Sequence, residues 1–117
     1  MSSNKSSENH QFLCKFDALA NLETRSFEVL INRHKTSIFI IRKNDLIFAY
    51  QNSCPHAKAS LEWNDDDFLD ETKQHIICAM HGATFSIEAG ECLGGPCKNK
   101  GLEAVNVQVL EGDVVFD

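Results

Sequence analysis

Two short segments carry the side chains best suited to chemistry: Cys54-Pro55-His56 and Cys78-Ala79-Met80-His81-Gly82. Each offers one thiolate and one imidazole, so together they present two sulfurs and two nitrogens to a metal centre. Such donors suit zinc or an iron–sulfur cluster, not calcium or magnesium. A structural zinc finger usually presents a cysteine pair followed by a histidine pair. Here each segment holds one of each, an order that suits a two-iron cluster with sulfur ligands on one iron and nitrogen ligands on the other. His34 and His75 have no cysteine nearby and read as turn and strand-edge residues, while His10 reads as solvated.

From about Phe12 onward the chain resembles the small soluble Rieske ferredoxins. The likeness rests on Cys54-Pro55-His56-Ala57-Lys58-Ala59-Ser60-Leu61, on Ile77-Cys78-Ala79-Met80-His81-Gly82-Ala83-Thr84-Phe85, and on Gly94-Gly95-Pro96 followed by Leu102. It implies an all-β Rieske iron–sulfur fold, an antiparallel β-sandwich or barrel with an inserted cluster-binding subdomain. It implies one [2Fe-2S] cluster per chain, held by Cys54, His56, Cys78 and His81, with the histidine-bound iron nearer solvent and the Gly94–Pro96 loop packed over it. The domain is expected over residues 12–117, its cluster-binding subdomain at about 52–101, behind a disordered tail over 1–11. The interval from Ala57 to Ile77 exceeds the family's usual one and reads as an insertion.

Departures from the family's high-potential branch bear on the chemistry. Its two extra cysteines, which staple the ligand loops, match Ala59 and Met80 here. Its serine and tyrosine, which donate hydrogen bonds to the cluster sulfurs, match Ala83 and Phe85. Neither residue has a hydroxyl, so the resemblance implies a potential at the lower end of the Rieske range of about −150 to +300 mV.

The elements that must position these segments read as strands. Gln11 to Phe16, Phe27 to Ile31, Ser37 to Ile41 and Leu46 to Tyr50 are β-branched and aromatic runs, the last leading straight into the first ligand segment. His75 to Ile77 enters the second segment and Thr84 to Ile87 leaves it. Val105, Val107 and Val109 alternate with polar residues, and Asp113 to Phe116 closes the sheet. Turns are expected at Asn32–Thr36, Lys43–Asp45, Glu88–Glu91 and Glu111–Gly112. Helical turns are expected only near Asp17–Leu22 and Asp66–Glu71.

At 117 residues the chain buries one modest core. Its longest aliphatic–aromatic run, Ile38-Phe39-Ile40-Ile41, is too short to cross a bilayer. The polar N-terminus has neither an apolar signal core nor a twin arginine, so a cytoplasmic location is expected. The net charge of −6 argues against nucleic acid and anionic membranes as partners. Acid concentrates at Glu62, Asp65, Asp66, Asp67, Asp70 and Glu71, a solvated loop or a docking face for a basic redox partner. Cys14, Cys92 and Cys97 read by default as small buried hydrophobes. Cys92 and Cys97 flank the glycine–proline loop, where oxidation or a labile disulfide is also open to them.

A Rieske oxygenase would need a second iron held by two histidines and a carboxylate. No histidine follows His81, and no flavin or nicotinamide fingerprint is present. The reading is therefore an electron-transfer protein and not an enzyme in its own right, a soluble carrier between a flavin-dependent reductase and a terminal oxygenase. A Rieske subunit bound tightly to a larger reductase or oxidase, and a zinc-stabilised binding module, are the alternatives.

Overall fold

The computed structural model describes residues 11–53, 68–78, 82–95 and 100–116. Nine strands are found among them: β1 (Gln11–Lys15), β2 (Thr24–Ile31), β3 (His34–Lys43), β4 (Leu46–Gln51), β5 (His75–Ile77), β6 (Thr84–Ser86), β7 (Cys92–Gly94), β8 (Val107–Leu110) and β9 (Asp113–Phe116). They form three antiparallel sheets in the orders β1-β9-β8, β2-β3-β4 and β5-β6-β7. The fold is all-β, as expected.

The run Ile38-Phe39-Ile40-Ile41 explains how the sheets stack. Successive strand side chains point to opposite faces, so a run apolar at every position must be covered on both. Ile38 and Ile40 join Val29 and Ala49 against Leu13, Cys14 and Val114 of the first sheet. Phe39 and Ile41 join Tyr50 on the other face, against Ile76, Phe85 and Ile87 of the third-sheet layer. All four residues of the run are fully buried. The middle sheet thus carries one core on each face.

Turns differ from expectation in detail. The β2–β3 hairpin closes on Asn32 and Arg33 alone, with φ of 51° and 69°, and Ile31 pairs with His34. Two left-handed residues make the turn whose twist matches a hairpin, so the strands run to its tip and the expected separator over Asn32–Thr36 is shorter. Near Asp17 the only helical feature is a 3-10 turn over Phe16–Ala18. The helical turn expected at Asp66–Glu71 is not formed in its described part. Leu69 instead bridges Ile76, and the Phe68 carbonyl accepts from the Ile77 N–H at 3.0 Å. Burial of Phe68, stacked on Phe39 with centroids 4.2 Å apart, draws this segment onto the sheet. Val109, which alternates in step with Val105 and Val107, is 41% exposed, and β8 is an edge strand. No helix among the described residues is long and apolar enough to cross a membrane. Of the tail expected over 1–11, residues 1–10 lie outside the described residues, and Gln11 is the first residue of β1.

Candidate metal centre

The second ligand segment is the better defined. Ile76 and Phe85 pair across β5 and β6, both fully buried, and fix the two chains that enter and leave the loop. Above them the Cys78 N–H donates to the Ala83 carbonyl and the Gly82 N–H to the Cys78 carbonyl, each at 2.8 Å. Cys78 and Ala83 are fully buried, whereas Gly82 is exposed. The segment therefore starts inside the protein and ends at its surface, with a cysteine, held in no disulfide, at the buried end.

The chain before Cys54 is held as firmly. The Asn52 N–H donates to the Ser37 carbonyl at 2.8 Å, and its side-chain amide donates to the Ser37 hydroxyl at 3.2 Å. Cys54, His56 and His81 lie outside the described residues, so Cys78 is the one candidate ligand whose surroundings are described.

A third segment bears on the second. Gly95 has φ of +86°, and a Cβ there would stand 2.7 Å from Ala83 Cα and 3.1 Å from the Gly82 carbonyl oxygen. Only glycine allows this backbone to lie against the residues that follow His81. Leu102, which continues the glycine–proline loop, is buried in the same core as Cys78, and Pro96 lies outside the described residues.

Sequence reasoning missed Tyr50 as a strut. It sits on β4, its ring packs against Phe39, and its hydroxyl donates to the Ile87 carbonyl at 2.5 Å. Burial, with a smaller contribution from the Glu88 carboxylate, pushes its pKa up to about 12. The strand leading to the first segment is thereby tied to the turn after β6. Gly90 completes the contact, since a Cβ there would meet the Tyr50 ring at 2.7 Å. The signal lay in the pairing of a tyrosine with a distant glycine, which spacing alone does not reveal.

His75 opens β5, an outer strand of its sheet, and its Nδ1 lies 3.1 Å from Asp70 Oδ2. Burial works against the Asp70 charge, but bonds from His75, Thr72 and the Gln74 N–H outweigh it and lower the pKa. Asp70 is thus tied into the turn that precedes β5. Cys14 is buried, and that burial pushes its thiol pKa up. Cys92 corrects the default reading: it is half-buried and disulfide-bonded, not a buried thiol.

A family model described as the Rieske [2Fe-2S] domain matches residues 9–111. No curated protein matches. Among solved structures, a chain from a complex of reduced oxygenase and oxidized ferredoxin in carbazole 1,9a-dioxygenase is similar at 23% identity and a TM-score of 0.71, over 92% of both chains. The ferredoxin of carbazole 1,9a-dioxygenase from Nocardioides aromaticivorans IC177 is 20% identical, with a TM-score of 0.71 over 92% of this chain and 96% of that one. A ferredoxin from Sphingomonas yanoikuyae B1 is 22% identical, with a TM-score of 0.66 over 93% and 98%. At such identities the solved structures speak for the fold.

Proposed function

The chain belongs to the Rieske [2Fe-2S] domain family, whose cofactor is one [2Fe-2S] cluster, and we propose that it is a one-electron carrier with Cys54 and Cys78 on one iron and His56 and His81 on the other. The observation that carries this assignment is Cys78, a fully buried cysteine in no disulfide at the head of a loop closed by its own backbone. A cysteine sulfur at that depth suits a metal, which would offset the charge of a thiolate there. The cluster accepts and releases a single electron, and histidine ligation places its potential above that of all-cysteine centres.

The protein's own residues set direction and accessibility. Cys78 enters from the core while Gly82, next to His81, is exposed, which favours the histidine side as the electron's exit. Tyr50 stays protonated and neutral below about pH 12, so it ties the strands without adding charge near the centre. Fully buried Ala83 and Phe85 offer no hydroxyl to the sulfurs, which supports a low potential.

The partners follow from the same reading. Similarity to a ferredoxin held in complex with an oxygenase supports a terminal oxygenase as acceptor, fed by a flavin-dependent reductase, with this chain doing no chemistry on substrate. A cytoplasmic setting suits such a carrier. Replacement of a ligand tests the assignment: Cys78→Ser should abolish the visible spectrum of the cluster, and His81→Cys should abolish or transform it. An unaltered spectrum in either variant would overturn the ligand set.

A further inference from the structure

The face of the middle sheet that holds the Cys78 layer runs on past that layer. Phe39 pairs with Ser26 across β3 and β2, and its ring stacks on Phe68 within the layer. Strand side chains alternate, so the same face continues outward as Ser37 and Lys35 on β3 and as Glu28 and Leu30 on β2. All four residues are exposed, Leu30 to 60%. We propose that this ledge, with Arg33 at its tip, docks a carboxylate-bearing segment of a protein partner, Leu30 taking an apolar side chain between the acids.

The ledge is held from behind. Pairing of β3 with β4 stops at Ile38 and Gln51, so His34 to Ser37 pair with β2 alone. A two-stranded ribbon is marginal in water by itself. Here Val29 is buried in the core against the first sheet, and Ile31 packs on that core. The Asn52 amide adds a bond to the Ser37 hydroxyl at 3.2 Å. A contact surface fixed in this way loses little freedom on binding. The same bond sets the ledge beside the chain that leaves β4, shortly before Cys54.

Charge then selects the partner. From Val29 to Asn44 the chain has no carboxylate, although its net charge is −6. Lys15 pairs with Asp113, Arg25 with Glu23 and Lys43 with Glu88. Arg42 donates to the Leu19 and Asn44 carbonyls. Exposed Arg33 and Lys35 have no such partner among the described residues. Glu28 lies at the inner end of the ledge, two positions along β2 from Leu30, which confines the positive character to the tip. At physiological salt the screening length is about 8 Å, so a segment at the tip meets these cations more than the acid elsewhere.

A single exposed leucine is ordinary. Leu30 differs because Lys35 stands directly opposite it and Arg33 closes the same turn, an apolar contact with a cationic rim. Two cations are too few to hold nucleic acid or an anionic membrane against the net charge. One further step rests on the carrier reading above: the partner is then one of the chain's redox proteins, seated beside the layer that carries Cys78.

The test uses the oxidised holoprotein, amide NMR shifts and two capped peptides, one with leucine between pairs of glutamates and one with lysines in their place. The glutamate peptide should shift the Leu30, Arg33 and Lys35 amides saturably, and the lysine peptide should not. Lys35→Glu should weaken the glutamate peptide about fivefold or more, and Leu30→Ser and Arg33→Gln should each weaken it by a smaller factor. All three positions are exposed, so urea unfolding of the variants should match the unaltered protein and separate lost binding from lost folding. Equal shifts from both peptides, shifts away from the hairpin, or undiminished binding by Lys35→Glu would overturn the proposal. So would equal shifts from sodium glutamate, which would leave an anion site only, or binding to phosphatidylserine vesicles but not to the peptide. Iron and sulfide analysis keeps the two readings apart. Absence of both would sink the carrier assignment, and the peptide shifts would still decide the ledge.

Discussion

At Gly95 a methyl group would stand 2.7 Å from Ala83 Cα, and the positive φ adds a penalty of about 1–2 kcal/mol for any L side chain. Gly95→Ala should therefore destabilise the protein by about 2 kcal/mol or more in urea unfolding and lower its iron content, because the displaced backbone is the one that follows His81. Full iron with unchanged stability would show that the contact matters little. Ala83 and Phe85 raise a separate question, since both are buried at the level of the loop. Ala83→Ser and Phe85→Tyr should each raise the reduction potential by supplying a hydroxyl donor, read by voltammetry. A lowered or unchanged value would assign the low potential to something other than missing donors. At this scale the sequence was legible wherever residue type alone carries chemistry. The paired cysteines and histidines pointed to a metal from their types and order. Tyr50, Gly90 and the bonding of Cys92 were not legible, because each depends on a partner brought close only by folding.

The turn before β5 shows what a single carboxylate does for an element. Asp70 accepts from the Thr72 hydroxyl at 2.9 Å and the Gln74 N–H at 3.1 Å, and its other oxygen faces His75. Because its pKa is lowered in the folded state, the stability it adds is present above the unfolded carboxylate value of about 3.9 and is lost as pH falls through the lower folded value. Asp70→Asn should cost about 1 kcal/mol at neutral pH and flatten the acid limb of a stability–pH curve measured by urea unfolding. An unchanged acid limb would remove Asp70 from that account. Strands were readable here because β2, β3 and β4 are rich in branched and aromatic residues. The helical turn expected at Asp66–Glu71 is not formed in its described part, because Phe68 and Leu69 had a sheet to bury against. Strand β7 escaped notice since Cys92-Leu93-Gly94 is short and ends in glycine, and its pairing with β6 is set from outside.

Across the whole molecule, three sheets and two cores serve one arrangement. The middle sheet is covered on one side by β1, β9 and β8 and on the other by the layer that carries Cys78, so β4, which ends shortly before Cys54, lies against that layer. Burial of β3 on both faces was implicit in its unbroken apolar run, but which sheets cover it was not. That choice depends on chain connections that periodicity does not encode. The most direct test of the account is an EPR spectrum of the dithionite-reduced protein, taken with iron, sulfide and zinc analysis of the same sample. The account predicts a rhombic Rieske-type signal with two irons and two sulfides per chain. An EPR-silent protein holding stoichiometric zinc would contradict it, and the pairs at Cys54–His56 and Cys78–His81 would then be a structural site.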